Sequence, residues 1–94
     1  MTAPILSPRQ IDLARHALGL PNERRRSYRN RFCCGPGHAD YEDWRAMVAA
    51  GAARQFPLNA HRGDSLFALT EPGARAALCD GETLDAEDFP RNLE

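Results

Sequence analysis

A chain of 94 residues has room for one small domain, and folding at this size hides only about 60–65% of the surface the unfolded chain exposes, leaving little mass to enclose a substrate. Hydrophobic residues make up 43% and charged residues 27%, an ordinary globular balance, and no apolar run approaches the roughly 20 residues a membrane-spanning helix needs. A net charge of −1 excludes bulk attraction to nucleic acid or to a membrane surface, three cysteines are an odd count for a disulfide framework, and Met1 to Leu6 lack the basic start of a secretory signal, so a cytoplasmic protein is expected.

The first predicted element is a helix over residues 8–18. Ser7 can accept from the amide of Gln10 while the Gln10 side chain reaches back, and Pro8 suits the first helical position. Ile11, Ala14 and Leu18, flanked by Leu13 and Ala17, give that helix one apolar face, and Gly19 with Pro21 stops it. Tyr28 and Phe32 alternate with Arg29 and Arg31, which predicts a short strand near 28–33; the same aromatics at i, i+4 also suit a helix, and the strand is preferred. The Gly35-Pro36-Gly37 run ends it.

Asp40 then stands at the N-cap position of a second helix, 40–50, with Glu42 and Asp43 in its first turn and Gly51 at its end. Tyr41, Trp44, Met47 and Val48 recur at helical spacing, and Trp44 reads as a core anchor rather than a binding platform. Strands at 52–56 and 66–70 follow, joined through Pro57, Asn59, Gly63 and Asp64, all turn formers. Thr70 caps a third helix, 71–78, with Glu71 and Pro72 in its first turn and Ala74, Ala77 and Leu78 facing inward. Residues 80–94 read as an acidic tail with Leu84 and Phe89 available for docking. The expected core is Ile11, Leu18, Tyr28, Phe32, Trp44, Met47, Val48, Phe56, Phe67, Leu69 and Leu78.

Charge is polarised along the chain. Arg24, Arg25, Arg26, Arg29 and Arg31 fall within eight residues, whereas the tail holds Asp80, Glu82, Asp85, Glu87, Asp88 and Glu94 against Arg91 alone. All 12 basic residues are arginine, a consequence either of genomic composition or of a demand for planar, bidentate donors.

The segments "WRAMVAAGAARQF" and "LFALTEPGARAAL" together resemble the closing half of winged-helix domains, in which a helix ends at a glycine, a hairpin forms the wing, and a leucine-threonine-x-x-glycine turn opens the last helix. The likeness covers about residues 40–79. It implies an α+β domain over residues 1–79, with three helices and a small antiparallel sheet. The whole chain also resembles small accessory proteins of phages and prophages. In a DNA-binding winged helix the helix before the wing lies in the major groove and wing cations meet phosphate. Here that helix carries Asp40, Glu42 and Asp43 against Arg45, and no further helix stands between residues 19 and 38, so little base readout is expected.

The stretch "RRRSYRNRFCCGPGH", residues 24–38, carries the candidate site. As a nucleic-acid handle, Arg24, Arg25, Arg26, Arg29 and Arg31 would neutralise phosphates, Tyr28 would stack on a base or pack beneath the arginines, and Arg62 on the wing would add a contact. The same run also fits a solvated connector partly neutralised by the acidic tail, or a contact with an acidic protein. Cys33, Cys34 and His38, with Cys79 and His61 as distant completers, could ligate a metal. Adjacent cysteines point to opposite faces of an extended chain, however, and zinc sites draw on C-x₂₋₄-C pairs, so no metal is expected and one cysteine should be buried while the other is exposed. Cys34, His38 and Asp40 could imitate a thiol–imidazole nucleophile. No glycine-rich phosphate loop or paired-carboxylate motif accompanies them, and neither an enzyme nor a cofactor is expected. His16 is expected to be a partly buried, hydrogen-bonded histidine.

These observations give a non-enzymatic binding module of phage or mobile-element origin that meets nucleic-acid backbone through Arg24, Arg25, Arg26, Tyr28, Arg29, Arg31 and Arg62. The alternative is a modulator or inhibitor of a host defence or transcription complex, acting through the acidic helix face or tail as a nucleic-acid mimic.

Overall fold

The computed structural model describes residues 4–59 and 63–89. Three α-helices and a three-stranded antiparallel sheet make an α+β domain in the order α1 (Pro8–Leu18), β1 (Phe32–Cys34), α2 (Tyr41–Ala49), β2 (Ala53–Asn59), β3 (Asp64–Leu69) and α3 (Glu71–Ala76), followed by a 3-10 turn at Ala86–Asp88. The strands lie in the order β1-β3-β2. Among the described residues no helix is long and apolar enough to cross a membrane.

Local chemistry sets the helix ends. The Gln10 N–H donates to the Ser7 hydroxyl (3.1 Å) and the Ser7 N–H to the Gln10 side-chain oxygen (2.9 Å), closing a capping box before α1. Gly19 at φ 80° ends that helix in the left-handed conformation, and its N–H donates to the His16 carbonyl (3.1 Å). The Gly73 N–H donates to the Thr70 hydroxyl (3.2 Å), which caps α3. Thr70 is therefore the cap and not the last strand residue, and α3 stops at Ala76 because Ala77 already forms its C-cap. Asp40 occupies the cap position of α2 without capping it. Its carboxylate accepts instead from the Arg9 guanidinium (2.8 Å), which ties α1 to α2.

The strand expected over residues 28–33 is confined to Phe32–Cys34. The main chain of the preceding residues has other partners: the N–H groups of Tyr28 and Arg31 donate to the Leu18 and Ala17 carbonyls (3.2 and 3.3 Å) at the end of α1. Asn30 stands in for a strand neighbour, because its side chain accepts from the Leu69 N–H (2.8 Å) and donates to the Leu69 carbonyl (3.0 Å). Asn30→Ala should strand both groups in a half-buried site and lower the unfolding free energy by about 1–3 kcal/mol, measurable by urea denaturation.

One face of the sheet meets the helices. Trp44 and Phe67 are fully buried and stack with ring centroids 5.5 Å apart, and Phe32 lies 5.2 Å from Trp44. Leu18, Met47 and Leu69 complete the large buried side chains expected in the core, while Ile11, Val48 and Leu78 are partly buried against it. Much of the remaining core is small: Ala14, Ala17, Ala52, Ala53, Ala74 and Ala77 let the helices approach closely, and Leu6, Leu20 and Cys34 fill the gaps. Two expected core aromatics lie outside it. Tyr28 is 62% exposed because the connecting segment, not a strand, carries it, and Phe56 is 45% exposed because the β2–β3 register sets Gln55 opposite Phe67 and Phe56 opposite Leu66. Alternation then turns Phe56 to the opposite face of the sheet.

Beyond α3 the chain returns across α1. The Arg15 guanidinium donates to both oxygens of Glu82 (2.5 and 2.8 Å) and to the Ala77 carbonyl (3.0 Å), while the Cys79 N–H donates to Glu82 Oε1 (2.6 Å). Both partners of this ion pair are largely shielded from water, with side-chain exposures of 13% and 6%. Leu84 and Phe89 pack against the core.

Candidate functional site

The arginine-rich segment is a connector whose shape is fixed from both sides. Asn22 organises its first turn: the side-chain amide donates to the carbonyls of Gly19 (3.1 Å) and Arg26 (2.8 Å), and the Arg25 N–H donates to the Asn22 carbonyl (3.2 Å). Arg25 stands at φ 53°, a left-handed conformation that disfavours a side chain. The surrounding bonds hold it there. The Thr83 N–H donates to the Arg25 carbonyl (2.9 Å) and the Ser27 N–H to the Thr83 carbonyl (3.0 Å), so that residues 25–27 and 83 form a parallel bridge. Ser27 is 1% exposed, and its hydroxyl accepts from the Asp85 N–H (2.9 Å).

At Ser27 opens a cleft of about 590 Å³ lined by Asn22, Glu23, Arg24, Arg26 and Tyr28 of the connecting segment and by Asp85 and Glu87 of the returning chain. The Arg26 guanidinium lies 3.6 Å from the Asp85 carboxylate, an exposed pair of small energetic weight. The Arg29 guanidinium sits 5.3 Å from the centroid of the Tyr28 ring, and its Nη2 donates to the His16 carbonyl (2.8 Å) at the end of α1. Tyr28 itself packs close to Gly19, where an added Cβ would run into the ring. The structure therefore groups Arg24, Arg26, Tyr28 and Arg29. Arg31 lies apart and lines a second hollow of about 220 Å³ with His16, Arg29, Phe32 and Cys33. Arg25 turns toward Gly81 and Glu82. Arg62 lies outside the described residues.

Arg24, Arg25 and Arg31 have no carboxylate at ion-pair distance among the described residues. The carboxylates are more heavily engaged. Asp40 and Asp43 both accept from Arg9 (2.8 and 2.5 Å), Glu82 is taken up by Arg15, Asp85 by Arg26 and Glu71 by Arg75. Asp85 and Glu87 are the cleft residues that reading the arginine run alone misses; the opposed charges of the two segments are the signal that pairs them.

The cysteine and histidine readings meet specific geometry. Cys34 is buried and Cys33 exposed. Burial, reinforced by nearby Asp40, pushes the Cys34 thiol up to about 11, so that little thiolate forms at neutral pH. His38 Nδ1 accepts from the Asp40 N–H (3.1 Å), leaving it no proton to give the Asp40 carboxylate 3.8 Å away. That is the reverse of the carboxylate-oriented imidazole a nucleophilic triad uses. Among the described residues no cluster of three or more His, Cys, Asp or Glu side chains is arranged to hold a metal ion. His16 is exposed, not partly buried, and meets Phe32 edge-on with centroids 5.6 Å apart.

Comparison of the chain with protein-family models, with curated proteins and with solved structures returns no match.

Proposed function

We propose that the protein is a small non-enzymatic binding module, of phage or mobile-element origin, that grips nucleic-acid backbone through Arg24, Arg29 and Arg31 and stacks a base on Tyr28. The observation that carries this reading is Tyr28: an aromatic ring left 62% exposed with the Arg29 guanidinium over it, in a segment where Arg26 pairs with Asp85 but Arg24, Arg25 and Arg31 have no carboxylate at ion-pair distance among the described residues. A tyrosine in such a position serves sequence-tolerant stacking, and unpaired guanidinium groups beside it serve phosphate. Glu23, Asp85 and Glu87 on the same cleft oppose a long run of duplex phosphates, which favours a short single-stranded ligand.

The element order and sheet order fit a winged-helix-like domain that lacks the second helix of a helix-turn-helix, so contact falls to the connecting segment rather than to a helix in the major groove. Acidic mimicry toward a protein partner is the weaker reading, because Arg9 already occupies two of the three carboxylates at the start of α2.

Fluorescence polarisation with labelled 12-nucleotide single strands and a duplex of the same length tests the proposal. At about 50 mM salt the single strand should bind more tightly than the duplex. Tyr28→Ala should weaken single-strand binding by about 5- to 150-fold, and Arg24→Glu should lower the salt slope by about 0.7 for each phosphate that the side chain at position 24 no longer neutralises. Absence of binding to either ligand at that salt would overturn the proposal.

A further inference from the structure

Two side chains that line the cleft take no part in gripping backbone: Arg26 of the connecting segment and Glu87 of the 3-10 turn. Both stand on a fixed main chain. The Arg26 carbonyl accepts from the Asn22 side-chain amide (2.8 Å), and residue 26 bridges to Thr83. The Glu87 N–H donates to Asp85 Oδ1 (3.0 Å), and the Asp88 N–H to the Asp85 carbonyl (3.1 Å), which closes the turn. Asp85 Oδ1 also lies 3.6 Å from Arg26 Nη2, so one carboxylate serves both the turn and the guanidinium. The Glu87 carboxylate itself has no cation at ion-pair distance among the described residues. At about 590 Å³ the cleft falls within the range of about 300–1,000 Å³ usual for sites that take small ligands.

We infer that the cleft is a guanine-selective base site, with the base against the Tyr28 ring, Arg26 donating to its O6 and N7, and the Glu87 carboxylate accepting from its N1–H and N2 amino group. The inference rests on the nucleic-acid reading of the connecting segment and names the base that its ligand presents there. Charge decides which part of the ligand enters. Glu23, Asp85 and Glu87 line the cleft and repel phosphate, so a base goes in while the backbone stays with Arg24 and Arg29. Hydrogen-bonding chemistry then decides which base. A guanidinium only donates and a carboxylate only accepts, and each can do so through two parallel bonds. A base that satisfies both must set two adjacent acceptors beside two adjacent donors. Guanine does so, with O6 and N7 on one edge and N1–H and the N2 amino group on the next, all open in a single strand. Thymine and uracil place one N–H between two carbonyls, cytosine has one amino group beside two acceptors, and adenine has one between two ring nitrogens.

The test uses the full chain and labelled 12-nucleotide strands: oligothymidylate, and the same strand with one central guanine, adenine or hypoxanthine. At about 50 mM salt the guanine strand should bind about 5- to 150-fold more tightly than oligothymidylate. The adenine strand should show no such gain, and hypoxanthine, which lacks the N2 amino group, should lose most of it. Glu87→Gln keeps the side chain's shape and turns one accepting oxygen into a donor. It should erase the guanine preference while oligothymidylate binds at least as well as to the parent, because a negative charge has left the cleft. Arg26→Lys, which keeps the charge but not the planar fork, should erase the preference too. Circular dichroism of both variants monitors the fold. Equal binding of the guanine and thymine strands by the parent, or a preference that survives Glu87→Gln, overturns the inference and leaves the connecting-segment reading standing. A preference that is lost in Glu87→Gln but kept in Tyr28→Ala and Arg24→Glu, with oligothymidylate affinity unchanged in those two, leaves the base site and sinks the backbone reading. Absence of binding to every strand overturns both.

Discussion

Replacing Glu82 by alanine is expected to lower the unfolding free energy by about 3–5 kcal/mol, a large share of the roughly 5–14 kcal/mol available to a domain of this size. The carboxylate meets both terminal nitrogens of Arg15 and the Cys79 N–H at 2.5 to 2.8 Å, and both side chains are shielded from water. Its removal leaves the Arg15 guanidinium in a low-dielectric position with only the Ala77 carbonyl to accept from it. The melting temperature should fall by more than 10 °C. Truncation of Asp43, whose partner Arg9 is over half exposed, should change it little.

The same pair sets the acid stability. Hydrogen bonding from Arg15 is the main cause that holds the Glu82 carboxyl down at about 2, with the Cys79 N–H and the charges of Arg15 and Arg25 adding to it against the cost of burial. The folded value lies below the unfolded one of about 4.3, so the folded chain resists protonation. The stabilisation is therefore complete above about pH 5 and disappears as pH falls from there through about 2. Urea midpoints measured between pH 6 and pH 2 should drop through that window, and Glu82→Gln should flatten the drop. A midpoint insensitive to both substitution and acid would show that the ion pair is not a structural tie. Thr83 and Asp85, directly after Glu82, are bonded to Arg25 and Ser27 at the floor of the cleft, so loss of the tie is expected to loosen that wall.

What the sequence reveals follows the range of each interaction. The caps at Ser7, Gly19 and Thr70 are legible because donor and acceptor lie within four residues of one another. Tyr28 and Phe56 are not, since periodicity separates two faces of an extended segment without saying which is covered; only the pairing of Gln55 with Phe67 decides that for β2. The main-chain partners of residues 27–31 come from α1 and from Thr83, and nothing in their side chains announces them. A search for bulky apolar residues finds Trp44 and Met47 and overlooks the alanines that let the helices close on one another. Of the candidate site, the arginines and Tyr28 are visible as a cluster, but their division between a cleft and the end of the sheet is a property of the fold.

Gly73→Ala should destabilise the protein by about 2–4 kcal/mol, although helix propensity alone predicts a gain of about 1 kcal/mol from that exchange. Gly73 abuts the turn between α2 and β2, and a Cβ built on it would collide with the Ala52 carbonyl, a rigid backbone atom that also accepts from the Thr70 N–H (3.0 Å). Gly51→Ala supplies the comparison. That glycine stands at φ 79° with open space around its Cβ position, so the substitution should cost only about 1–2 kcal/mol of backbone strain. Thermal melts that rank Gly73→Ala below Gly51→Ala would establish close packing as the reason for the glycine; the opposite order would mean that α3 can move away from the turn at little cost.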